Sequence, residues 1–163
     1  MKELLTQLSS YNIWATGLLL DAINSLPEEK QKQEVQSSFT SLYHTVLHMW
    51  NAESIWWQRM KLQERFYIPA EEFKGNMREL SLHLLEQGKQ WKEWIAAASE
   101  PMLQHEFKYH NSKRESFKHP VYQMLLHVFN HGTYHRGQLV NILRQLGIEK
   151  IPRTDFIDWS RRR

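Results

Sequence analysis

Val121-Tyr122-Gln123-Met124-Leu125-Leu126-His127-Val128-Phe129-Asn130-His131-Gly132-Thr133-Tyr134-His135-Arg136-Gly137-Gln138-Leu139-Val140-Asn141-Ile142-Leu143-Arg144-Gln145-Leu146 is the stretch that decides the fold. Pro120 opens it and Gly147 offers a left-handed C-terminal cap, so it reads as one long helix. Projected at about 100° per residue, Val121, Met124, Val128, Leu139, Ile142 and Leu146 share a stripe roughly 60° wide. His131 and His135 fall inside that stripe, and His127 and Gln138 lie along one edge. Arg136 projects to the opposite edge, toward solvent or a partner subunit.

Working outward, the chain has three more segments of helical period, and Pro27, Pro69, Pro101 and Pro152 punctuate it. The first spans about Lys2 to Leu26, with Leu4, Leu8, Tyr11, Ala15, Leu18, Ala22 and Leu26 as its apolar stripe. The second starts at Ser38 or Thr40, whose side chains can cap free N–H groups, and continues through Leu42, Val46, Met49, Ala52, Trp56 and Met60. The third covers Asn76 to Ala98, with Met77, Leu80, Leu84, Trp91 and Ile95 on one side. Between the third and fourth, Phe107 and Tyr109 alternate with polar residues ahead of Asn111-Ser112, which predicts a short hairpin. The expectation is an all-α single domain over residues 1–163, a four-helix bundle of the up-down type.

Composition narrows the function. With no cysteine, disulfides, thiolate metal sites and cysteine nucleophiles are ruled out. No apolar run approaches the ~18 residues of a membrane span and no signal-peptide layout opens the chain, so the expectation is a cytoplasmic protein with no membrane partner. The net charge is +3, and Arg161-Arg162-Arg163 alone supplies three positive charges; a nucleic-acid partner is not expected without a basic face on the folded body. The tryptophans crowding the second and third segments (Trp50, Trp56, Trp57, Trp91, Trp94) read as core or dimer-seam aromatics. Gly132 and Gly137 weaken the fourth helix and suit close approach of another helix.

The histidines carry the chemistry. An inward-facing imidazole needs partners for its ring nitrogens, and two of them at i, i+4 can meet at a single divalent ion. His131 and His135 have that spacing. For a third ligand the second helix offers His44 and His48; His48 flanks the apolar stripe near Ala52 and Ile55, and His44 lies closer to the helix start. His83, His105, His110 and His119 sit among polar residues or in the hairpin and read as surface groups. Three neutral imidazoles suit zinc, nickel or ferrous iron and leave positions open for water or substrate. There is no His-Glu-x-x-His motif, no Glu-x-x-His di-iron pair, and no Gly-x-Ser-x-Gly elbow to place a serine nucleophile. By helical proximity, Glu53, His127, Asn130, Tyr134 and Gln138 are candidates to orient the ligands or line a pocket.

Three stretches together resemble the DinB/YfiT-like proteins: Tyr11-Asn12-Ile13-Trp14-Ala15; Ser41-Leu42 with His48-Met49, Ala52-Glu53 and Trp56; and, most specifically, His127-Val128-Phe129-Asn130-His131-Gly132-Thr133-Tyr134-His135-Arg136-Gly137-Gln138-Leu139. The ending Leu146-Gly147, then Pro152 and Asp155-Phe156, extends the resemblance over nearly the whole chain. It implies a four-helix bundle holding a divalent metal through His48, His131 and His135. It also implies a family named for a DNA-damage-inducible gene, in which relatives often form homodimers. Some of those relatives are metal-dependent transferases of small thiols such as bacillithiol or mycothiol, and others are labelled hydrolases. The expected function is therefore metal activation of a small thiol or of water toward a small-molecule substrate, with no catalytic residue assigned beyond the ligands. The rival expectation is a non-enzymatic stress protein whose metal is structural or marks a ligand pocket.

Overall fold

The computed structural model describes residues 1–111 and 113–161. Helices α1 (Lys2–Asn24), α3 (Leu42–Met60), α5 (Met77–Ala97) and α7 (Val121–Gln145) form the bundle. The short helices α2 (Glu28–Lys32), α4 (Pro69–Glu72), α6 (Glu100–Gln104) and α8 (Phe156–Ser160) lie in the connections and at the C-terminal end. The expected hairpin is present as β1 (Glu106–His110) paired antiparallel with β2 (Ser116–Pro120), in the register Phe107 opposite His119. Of its turn signal Asn111-Ser112, Ser112 lies outside the described residues; the Asn111 side-chain oxygen accepts from the backbone N–H groups of Lys113 and Glu115.

Local chemistry sets the helix starts. The cap of α3 is Ser41, rather than Ser38 or Thr40: its hydroxyl accepts from the His44 N–H at 3.1 Å. Helix α5 begins with a reciprocal box in which Asn76 accepts from the Glu79 N–H and the Glu79 carboxylate accepts from the Asn76 N–H, each at 3.0 Å. Gly147, at φ +78°, ends the last long helix in the left-handed region, where a Cβ would be strained.

Contacts between helices fix their directions. Lys2 Nζ donates to the Ala96 carbonyl and Asn24 Nδ2 to Ser81 Oγ, so α1 and α5 are antiparallel. Trp50 stacks on His83 and Trp57 meets Trp91 edge-on, so α3 and α5 are parallel. His48 meets His131 while Trp56 meets His127, so α3 and α7 are antiparallel. The bundle thus runs up, down, down, up in chain order. Two successive helices can point the same way only if the chain returns along its own length between them. The link from Lys61 to Asn76 does so, pegged to α3 by three side chains. Gln58 exchanges hydrogen bonds with the backbone of Tyr67, the Asn51 oxygen accepts from Ala70, and the Tyr43 hydroxyl donates to the Gly75 carbonyl.

The interior has two apolar clusters. One gathers Leu19, Ile23, Leu42, Val46, Leu80, Leu84, Leu139 and Ile142; the other gathers Leu5, Trp91, Ile95, Leu103, Met124, Leu125 and Val128. Burial of such side chains supplies most of the drive to fold. Between the two clusters lies a polar layer contributed by the bundle helices, with buried Ser9, Asn12 and Thr16 on α1, Glu53 on α3, and His135 and Arg136 on α7, joined by half-buried His131. This layer explains why the expected stripe of α1 is displaced. Leu4 is exposed and Leu8, Tyr11 and Leu18 are half-buried, while the buried face is Leu5, Ser9, Asn12, Thr16, Leu19 and Ile23. Three polar residues on the core face hid it from a hydrophobic count. No helix among the described residues is long and apolar enough to cross a membrane.

Candidate metal centre

α7 packs against α3 on one side and α1 on the other, so both flanks of its helix are buried. The α3 side carries His131 and His135, one turn apart, and α3 presents His48 to them. His48 Nε2 lies 3.2 Å from His131 Nε2, and His131 Nε2 lies 2.9 Å from His135 Nε2. One ligand atom from each of the three falls within 4.8 Å of the others. Nitrogens bound at 2.0–2.1 Å around a tetrahedral ion sit roughly 3.3 Å apart, so the donor set fits a small divalent cation.

The protonation state fits as well. Burial, with His135 alongside, holds the His48 imidazole down to about 4. Burial, with His135, His48 and His127 nearby, does the same for His131. Burial also lowers His135, against a raising contribution from Gln138. All three rings are therefore neutral near pH 7, as ligands must be. The Gln138 side-chain oxygen lies 2.7 Å from His135 Nδ1, so that nitrogen carries the proton and the Nε2 lone pair turns inward. Gln138 is itself held by Tyr134, whose ring stands edge-on to His135 at 5.0 Å. Phe39, from the loop before α3, stacks on His48 at 4.0 Å and fixes its ring plane. Phe39 had no signal in the sequence, because a loop aromatic has no periodicity to place it.

The remaining candidates divide. His127 continues the line, its ring 6.1 Å from His131, with Trp56 at 5.2 Å. Asn130 is exposed and lines a groove against α1, away from the imidazoles. His44 is exposed at the start of α3, with its Nδ1 3.0 Å from the Ser41 hydroxyl. Glu53 is only 3 % exposed but belongs to the α1 side of the polar layer, near Asn12, Trp91 and Arg136. Burial pushes its carboxyl up to about 8, against the lowering influence of Arg136, Asn12 and Trp91. Among the described residues, neither Glu53 Oε2 nor Trp91 Nε1 completes a regular hydrogen bond.

Arg136 corrects the reading of α7. It is 3 % exposed rather than solvent-facing, because a helix with neighbours on two sides buries far more than a 60° stripe. Its guanidinium donates to Asn12 Oδ1, to Thr16 Oγ1 at 3.3 Å and to Thr133 Oγ1 at 2.9 Å, and lies over the Tyr11 ring. Gly132 makes room for this: a Cβ there would lie 2.8 Å from Asn12 Oδ1. The signal was present as Asn12 and Thr16 at i, i+4 on α1 opposite a glycine. Gly137 has no such role, since among the described residues no neighbouring element lies within 4 Å of its Cβ position.

The DinB family model matches residues 1–162. The chain belongs to the DinB family. This DinB-family chain is 29% identical to "Protein DinB" of Bacillus subtilis (strain 168) over 96% of its own length and 93% of that protein. Among solved structures it resembles YfiT from Bacillus subtilis, described as a probable metal-dependent hydrolase with an unusual four-helix bundle topology. That match has TM-score 0.68 at 15% identity, covering 90% of each chain. A second DinB-like protein from Bacillus subtilis matches with TM-score 0.67 at 14% identity, over 91% of this chain and 98% of that one. A DinB-like protein from Bacillus cereus matches with TM-score 0.64 at 16% identity, over 85% and 89%. At these identities the structural likenesses concern the DinB fold.

Proposed function

We propose that this DinB-family chain binds one divalent cation (zinc, nickel or ferrous iron) through the Nε2 atoms of His48, His131 and His135. It would use the ion to activate water or a small thiol against a small-molecule electrophile. The observation that carries this is the convergence of three neutral imidazole nitrogens, a set that holds an ion and leaves coordination positions free. A cation there supplies Lewis acidity, lowering the pKa of water or a thiol toward neutrality. The chain's own residues do the rest. His131 and His135 present their nitrogens from one helix face, Gln138 fixes the His135 tautomer, and Phe39 holds the His48 ring. The description of YfiT as a probable metal-dependent hydrolase supports the water branch; the thiol branch rests on the resemblance to a family some of whose relatives are thiol transferases.

The test is elemental analysis of the wild-type protein beside His48→Ala and His131→Ala, followed by ester hydrolysis and thiol-conjugation assays. About one divalent ion per chain, lost in both folded variants together with activity, is the expected result. Bound ion with no activity, and a large drop in thermal stability on its removal, would instead make the metal structural. Little metal after incubation with all three ions would overturn the proposal altogether.

A further inference from the structure

One helical turn from His131, toward the start of α7, a cleft of about 310 Å³ opens between α3, α7 and the hairpin. Its walls are Trp56, Tyr109 and His127, with His119, Gln123 and Met124 around them. Trp56 meets His127 at 5.2 Å and Tyr109 at 5.0 Å, both edge-to-face, so these three rings are held in fixed relative orientation. Tyr109 also lines a second cleft of about 500 Å³, shared with Arg59, Leu62, Phe66 and Lys108. Volumes of this order suit small organic molecules.

Arg59 stands where the two clefts approach. Its guanidinium carbon lies 4.8 Å from the Trp56 ring and 5.7 Å from the Tyr109 ring. Its Nε is buried with no hydrogen-bond partner among the described residues. Glu64 lines the same cleft, but among the described residues no carboxylate comes within ion-pair distance of Arg59. A guanidinium oriented by two aromatic faces and lacking an acid partner has planar donors left for a carboxylate or a phosphate.

We propose that the two clefts form one subsite for a small organic anion, its flat apolar body against Trp56, Tyr109 and His127 and its anionic group on Arg59. Placing this subsite beside the reacting centre rests on the metal reading above; the recognition of the anion does not. The chemistry shared by possible ligands is a planar body ending in a carboxylate or a phosphate-like group, and the probes separate the two.

The experiment titrates 2-naphthoate, 2-naphthylphosphonate and neutral 2-naphthamide into the full chain by calorimetry. The proteins are wild type, Arg59→Gln, Arg59→Lys and His131→Ala. At least one of the anions is expected to bind wild type roughly tenfold or more tightly than the amide, and to lose that advantage in Arg59→Gln. Arg59→Lys keeps the charge but not the planar fork, and should fall between. Equal affinity of anions and amide, unchanged affinity in folded Arg59→Gln, or no saturable binding of any probe would overturn the proposal. Should Arg59→Gln fail to fold, the amide comparison in wild type and Arg59→Lys decides. His131→Ala should bind the anion within about twofold of wild type while losing metal, because binding energy here comes from Arg59 and the rings. Arg59-dependent binding in a protein that takes up no metal would sink the metal reading and leave the subsite standing.

Discussion

Replacing Glu53 with glutamine should stabilise the protein, and by an amount that grows with pH. In the folded chain the Glu53 carboxyl is pushed up to about 8 by burial, from an ordinary value of 4.5. A raised carboxyl pKa means that the folded state holds a proton the unfolded state releases. Stability is therefore fully present below about pH 4.5, falls as pH rises, and levels off above about 8. Each pKa unit is worth about 1.4 kcal/mol, so the penalty at pH 8 relative to pH 5 reaches about 3–4 kcal/mol as an upper bound. Glutamine keeps the shape and the capacity to hydrogen-bond Asn12 and Trp91, and has no proton to lose. At about 2–4 °C per kcal/mol for a chain of this length, the Tm advantage of Glu53→Gln should widen by about 6–16 °C between pH 5 and pH 8. Calorimetric melts of the metal-free proteins across that range provide the assay. Taking the difference between variant and wild type cancels the histidine titrations, which both proteins share. A Tm difference that stays flat with pH, or narrows, would refute the assignment of a protonated acid at this position.

The imidazoles pull the other way. With His48 and His131 held to about 4, the unfolded chain takes up protons below about pH 6.5 that the folded one refuses, so the metal-free protein loses stability as pH falls from 6.5 to 4. That acid-side loss should be smaller in His131→Ala, as read from melts at pH 7.5 and 4.5. Gln138→Leu removes the acceptor from His135 Nδ1 and frees the tautomer, so zinc affinity measured by chelator competition should drop about 10–100-fold with little change in the melt. Ser41→Ala deletes the N-cap of α3 and should cost about 1 kcal/mol, a Tm decrease of roughly 2–4 °C.

The four long helices, the hairpin and the inward pair His131–His135 were legible because each rests on local pattern: apolar spacing, alternation, or proline and glycine punctuation. The choice of His48 over His44 was not decided by projection, since both lie on α3 one turn apart. Their separation comes from the meeting with α7, a contact across 83 residues of sequence. The direction of α5 was illegible for a related reason: it depends on Gln58, Asn51 and Tyr43 tethering a loop whose return path leaves no periodic trace. Arg136 was misplaced and the burial of Glu53 went unread because a charged residue at the centre of a bundle defeats any count that equates polarity with solvent. Their burial is possible only where Asn12, Thr16 and Thr133 gather around the guanidinium, an arrangement set by packing between helices.

The polar layer also bears on the order of events as the chain leaves the ribosome. Translation delivers α1, α3 and α5 first, and of the three imidazoles only His48 comes with them. The other two arrive on α7, which also brings Arg136, the donor to Asn12 and Thr16. A nascent chain lacking α7 carries one of the three imidazoles and an unmet Asn12–Thr16–Glu53 group, and neither arrangement can be finished by the segments already made. On the metal reading proposed above, capture of an ion by all three histidines would therefore mark the moment when the last long helix has docked, and a chelator present during synthesis would act on finished bundles rather than on partial ones.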